Sequence, residues 1–266
     1  MLKKIITTFS VIALVVSSLG LVRPAAAATV ALADLESGDL IRSTSLPAVY
    51  YYGKDGFRYV FPNDKTYFTW YSDFNSVKWI SDADMGKLQI GGNITYKPGV
   101  KMIKINSRNE TYAVGENGDL HWVTSEAVAI SLYGSSWNRN IDDVPDGFFS
   151  NYNISTDIED ASDFSPTDAT ASATSIDSDK NLKSPYIINI TDSGYSSTTL
   201  NAKVGRAIKF VNKGTTKHSA TAEDLSWGSG TLNPDESFIR YFNTVGTYEY
   251  FCSYNSALTG TIEVTE

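Results

Sequence analysis

The stretch YEYFCSYNSALTGTIEV, Tyr248 to Val264, decides how the C-terminal part of this chain folds. It opens on a strand-like alternation that places Tyr248, Tyr250 and Cys252 on one face and Glu249 and Phe251 on the other. A short polar loop follows the cysteine, and TGTIEV resumes a β-type run. Upstream, IINITD, RAIKFVN, KHSATAE and ESFIRYFN are further short β-type runs. Turn residues separate them: Asn212-Lys213-Gly214, Asn233-Pro234-Asp235 and Val245-Gly246. About eighty residues of evenly spaced short strands predict a β-sandwich.

Over residues 185–266 the chain resembles the cupredoxins, the plastocyanin-like blue-copper family. FVNKGTTKHSAT resembles the strand and loop that carry the first copper histidine, here His218. GTLNPDESFIRYFNTVGTYEYFC resembles the central run and the entry to the copper cysteine, here Cys252. The family's loop reads C-x-x-H-P-x-M. This chain has Asn255 where that pattern has its second histidine, and Leu258 where it has its axial methionine. The resemblance therefore implies a copper scaffold with an incomplete ligand set. The axial bond is long and weak, so its loss is tolerable, whereas a blue site needs two histidines and a cysteine in its trigonal plane. The other histidine, His121, lies before residue 151 and is expected to be structural. No resident cofactor is expected. The alternative is copper held by His218 and Cys252 alone, as a near-linear Cu(I) pair.

Before the sandwich, residues 151–184 are rich in Ser, Thr, Asp and Ala and poor in large apolar side chains. Such a composition predicts an acidic, flexible linker. Residues 38–150 contain a repeat. VYYYGKDGFRYVFPNDKTYFTWYSD from Val49 matches TYAVGENGDLHWVTSEAVAISLYGS from Thr111 at an offset of 62, giving copies near 49–85 and 111–148. Each copy reads as strand, glycine-bounded turn, strand and short helix, with Asn63 or Asp64 and Thr124 or Ser125 as candidate helix caps. NITYKPGVKMIKI suggests another hairpin turning at Pro98-Gly99. The two copies are expected to share one core. Trp70, Trp79, Trp122 and Trp137 are read as core residues rather than as a sugar-binding platform. The repeat resembles modules of uncharacterised exported bacterial proteins.

MLKK, then IITTFSVIALVVSSLGLV, then small residues read as a secretory signal over residues 1–28, cleaved after Ala28, with Ala33 the second choice and an uncleaved anchor the alternative. Lys3, Lys4 and Arg23 lie in that leader, so 19 basic residues remain against 30 acidic ones, a net charge of −11. That surface repels nucleic acid and anionic lipid. A single cysteine excludes an internal disulfide. The expectation is a mainly β, exported protein: an N-terminal α+β domain built from two repeats, a linker, and a Greek-key sandwich. Its role is structural or binding, non-enzymatic, at the cell envelope or outside the cell, with an extracellular or cell-surface partner and no membrane contact beyond the signal. The alternative is a copper-binding or electron-transfer protein.

Overall fold

The computed structural model describes residues 28–266, so the leader, but for Ala28, lies outside the described residues. The protein is mainly β, with four sheets and short helices. The first sheet is built from β1 (Leu40–Ser43), β2 (Val49–Tyr52), β3 (Arg58–Val60), β4 (Lys78–Ile80) and β5 (Ile90–Asn93), with α1 (Asp64–Trp70) and α2 (Asp82–Lys87) between strands. The second is built from β6 (Met102–Ile105), β7 (Thr111–Val114), β8 (Asp119–Trp122), β9 (Ile141–Val144) and β10 (Asn153–Ile154), with α3 (Glu126–Tyr133) and α4 (Asp146–Phe149).

The order β4-β1-β2-β3-β5 in one sheet matches β9-β6-β7-β8-β10 in the other. Tyr50 pairs with Val60, and Tyr112 with Trp122, so the central registers also differ by 62. Asn63 and Ser125 cap α1 and α3 by accepting the backbone N–H of Thr66 and Val128. Each unit extends beyond the matched stretch, because β1 and β6 enter before it.

Three expectations are corrected. First, the sheets do not share one core. Alternation along β1 and β2 sends Leu40, Val49 and Tyr51 into one cluster and Ile41 and Tyr50 into another, so both faces of the first sheet are covered. The second sheet has its own clusters around Ile103 and Met102. The units meet through polar contacts such as Asn93 to Asn151 and the Lys65–Asp142 ion pair. Second, Pro98-Gly99 is not a hairpin. β5 pairs with β3 and β6 with β7, so this turn carries the chain between sheets.

Third, the acidic segment is ordered. Ile158 is buried against Val123, and α5 (Pro166–Ser172) and α6 (Ile176–Asp179) follow. Ile176 and Leu182 join the core of the first sheet. α6 lies between equivalent hairpin turns: Asp177 accepts the Lys54 N–H at 2.9 Å and Asp179 accepts the Asn117 N–H at 2.8 Å. The Thr170 hydroxyl donates to the Pro98 carbonyl, and α5 passes so close to Gly99 (φ 73°) that a Cβ there would strike the Pro166 carbonyl. Carboxylates and hydroxyls thus replace the apolar contacts that the composition lacks.

The C-terminal unit packs two four-stranded sheets around one core. One holds β11 (Tyr186–Thr191), β12 (Gly194–Tyr195), β14 (Ala207–Asn212) and β16 (Ser237–Tyr241). The other holds β13 (Thr199–Lys203), β15 (Thr221–Ala222), β17 (Gly246–Cys252) and β18 (Asn255–Thr265). The chain passes repeatedly from sheet to sheet, as in a Greek-key sandwich. Edge strand β16 faces the first unit. There the Gln89 amide both donates to the Ile239 carbonyl (2.9 Å) and accepts its N–H (2.5 Å), occupying an otherwise unpaired strand edge. Beside it, fully buried Asp55 accepts the hydroxyls of Tyr59 (2.5 Å) and Tyr241 (2.6 Å), and Phe57 stacks on Tyr241. Among the described residues no helix is long and apolar enough to cross a membrane.

Candidate functional site

Cys252 ends β17, and His218 sits in the loop after β14; strand packing sets where each approaches the other. Asn212, fully buried at the end of β14, shapes that loop. Its amide donates to the Thr216 and Leu232 carbonyls and accepts the Gly214 N–H. His218 is then held by paired backbone bonds to Leu232, with its side chain 4% exposed. Gly214 must be glycine, since a Cβ there would lie 2.6 Å from the Asp192 carboxylate and 2.8 Å from the His218 ring.

The imidazole has a partner on each nitrogen. Nε2 lies 3.0 Å from Asp192 Oδ1, and Nδ1 lies 3.6 Å from Cys252 Sγ. Asp192 stands in the turn between β11 and β12 and also accepts from the backbone and hydroxyls of Thr215 and Thr216. Those N–H groups first, then the threonine hydroxyls and His218, hold its carboxyl well below the usual carboxylate range. An ionised Asp192 accepts the Nε2 proton and turns the Nδ1 lone pair toward the thiol.

Burial pushes the Cys252 thiol up, but the His218 hydrogen bond and the backbone N–H groups of Ser219, Tyr254 and Asn255 outweigh it, and the thiol is held below its ordinary value. Burial likewise pushes His218 down, while bonds to Cys252 and Asp192 carry it above its ordinary value. Both directions arise in part from the one hydrogen bond between Sγ and Nδ1, so the two groups titrate together. The Ser219 N–H reaches Sγ at 3.4 Å, and the Ser219 and Ser253 hydroxyls, 2.8 Å apart, tie the two strands together.

The remaining two expected positions do not complete a metal site. Asn255 is exposed, and its Oδ1 accepts the Ala257 N–H at 3.2 Å. Leu258 is half-buried against the sandwich core and offers no donor atom. Among the described residues, no cluster of three or more His, Cys, Asp or Glu could hold a metal ion. A near-linear Cu(I) pair would need the two atoms to part, because two bonds of about 2.0 and 2.3 Å in line span about 4.3 Å, against 3.6 Å here. The residues present therefore do not fit a blue-copper centre. Nucleophilic chemistry needs an open thiol, and Cys252 is fully buried.

Asp192 and Asn212 were missed in the sequence. Asp192 lies 26 residues before its histidine, in a DSG turn that reads only as a turn. His121 accepts no comparable role; its Nδ1 lies 2.8 Å from the Thr156 carbonyl and its ring packs on Phe164.

No family model matches the chain, and no curated protein matches it. Among solved structures, a methionine-to-alanine variant of amicyanin in the Cu(I) form is similar at 21% identity, over 30% of this chain and 82% of that one, with a TM-score of 0.29. A purple cupredoxin from Nitrosopumilus maritimus is similar at 23% identity over 30% of this chain and 99% of that one, with a TM-score of 0.29. A copper-containing nitrite reductase from Thermus scotoductus is similar at 23% identity, over 31% of this chain but 22% of that one, with a TM-score of 0.30. At such scores these likenesses assign no function, which rests instead on the geometry around His218 and Cys252.

Proposed function

We propose that this is an exported, non-enzymatic protein of the cell envelope or extracellular space, with a binding or structural role. In this reading the two N-terminal sheets are copies of one module. The cupredoxin-like sandwich keeps half of a copper ligand set as a buried polar tie between its sheets rather than as a redox centre. The observation that carries the reading is the direct 3.6 Å approach of His218 Nδ1 to Cys252 Sγ, with no group of three His, Cys, Asp or Glu placed to hold a metal among the described residues. Export is supported by the basic, apolar and small-residue order of residues 1–28. The non-enzymatic reading is supported by the burial of the thiol.

A second reading, a copper-binding or electron-transfer protein, is favoured by one feature. Asp192 orients His218 as a carboxylate orients a metal-bound histidine. Adding Cu(I) and Cu(II) separately to the purified protein, and measuring bound metal and the visible spectrum, separates the two. We expect no intense thiolate-to-copper band. A blue unmodified protein would overturn the first reading in favour of the second.

A further inference from the structure

The two N-terminal units carry the same cavity at the same place, and this feature is independent of the His218 site. In the first unit a cavity of about 460 Å³ opens between the β2–β3 hairpin and α1, with Phe148 of α4 closing one side. In the second a cavity of about 260 Å³ opens between the β7–β8 hairpin and α3. Their walls correspond at the offset of 62. Val60 and Trp122 end the second hairpin strand, Asn63 and Ser125 cap the helix, and Asp64 and Glu126 begin it. The side chains differ around an equivalent hollow, and each has a carboxylate at the first helical position.

We propose that these are paired binding sites for a neutral glycan. Neither cavity is lined by a lysine or arginine, and each has an exposed carboxylate on a chain of formal net charge −8, so an anionic polymer is repelled. A peptide added as a strand is also disfavoured. β2, β3, β7 and β8 are interior strands whose backbone groups are paired on both sides, so recognition falls to side chains.

Those side chains are of two kinds. Aromatic rings stand partly in solvent at the cavities: Phe74, 49% exposed and stacked on Tyr67, in the first, and Trp122, 38% exposed, in the second. Amide and carboxylate groups border them: Asn63, Asp64 and Asn93 at the edge of the first, whose wall is otherwise mainly apolar, and Asn109 and Glu126 in the second. A ring face carries negative charge density that attracts the C–H face of a pyranose, and amides and carboxylates exchange hydrogen bonds with its hydroxyls. Trp122 therefore leaves the core role expected of it, whereas Trp70 and Trp137 each pack on the core of their unit, and Trp70 donates to the Thr95 carbonyl.

The test titrates the whole purified chain with di- to hexasaccharides of glucose, mannose and N-acetylglucosamine, following tryptophan fluorescence and calorimetry. We expect two sites per chain for a short oligosaccharide of one of these series. Trp122→Ala and Phe74→Ala should each reduce the count from two to one, and the double variant to none, with unchanged far-ultraviolet circular dichroism. Asp64→Asn and Glu126→Gln, which keep shape, should each weaken one site several-fold and cover the case in which an aromatic variant unfolds. Absence of binding to all three series, or binding that survives both the aromatic and the carboxylate variants, overturns the proposal. So does competition at these sites by a cationic peptide but by none of the sugars. None of these outcomes bears on copper, so the two proposals fail separately.

Discussion

Restoring the missing ligands tests the site assignment most sharply. A metal about 2.0 Å from an imidazole nitrogen and about 2.3 Å from a thiolate subtends about 110° across the 3.6 Å between His218 Nδ1 and Cys252 Sγ. That is close to the trigonal angle of a blue site, so these two ligands need no rearrangement. Asn255 pairs with Cys252 where β17 turns into β18, so a side chain at 255 starts from the residue opposite the sulfur. Asn255 is exposed, so Asn255→His costs within about 0.5 kcal/mol. Leu258→Met conserves volume in a half-buried position and costs less than about 1.5 kcal/mol. The double variant should stay folded, bind one Cu(II) and develop an intense visible band. Adding Asp192→Asn should then weaken copper binding about 10- to 100-fold, because Asp192 orients the ring that binds the metal. Absorption spectra with copper titration read all of this. A double variant that is folded and colourless would refute the placement of residues 252–258 as the copper loop.

Other outcomes follow from the same structure. Mild proteolysis should not cut first within residues 155–184, since Ile158, Ile176 and Leu182 are buried there; early cleavage in that stretch, read by mass spectrometry, would show it to be a tether after all. Tyr241→Phe removes one hydroxyl from buried Asp55 and should cost about 1.5–3 kcal/mol in urea unfolding, and a loss below about 0.5 kcal/mol would count against a polar lock between the units. Burial raises the Asp179 carboxyl from 3.8 to about 6, so the folded state holds that proton more tightly and stability should fall as pH rises from about 4 to 6. That rise corresponds to about 3 kcal/mol, so Asp179→Asn should flatten this part of the pH profile and stabilise the protein at pH 7, as urea melts at each pH would read; an unchanged profile would show that the carboxyl titrates normally.

Where the sequence was informative, the signal was local. Alternation along TYEYFC placed Tyr250 and Cys252 in the core, where both are fully buried. Asn63 and Ser125 were legible as caps because a cap is a contact between residues three apart. The pairing of His218 with Cys252 was legible only through the spacing of a known family, since nothing local joins residues 34 apart. Composition misled at residues 155–184. It records how few apolar side chains are available, but not that Asp177 and Asp179 find backbone N–H groups on turns 123 and 62 residues away.

The amino-acid sequence by itself determined the strands and the caps, because each depends on neighbours along the chain. The tertiary structure alone decided that Asp192 holds His218, that Gln89 covers the edge of β16, and that equivalent hairpins open equivalent cavities. Those facts depend on which polar groups meet once the sheets have packed, and a hydrogen bond of about 3 Å carries no trace in sequence of a partner brought to it from far along the chain.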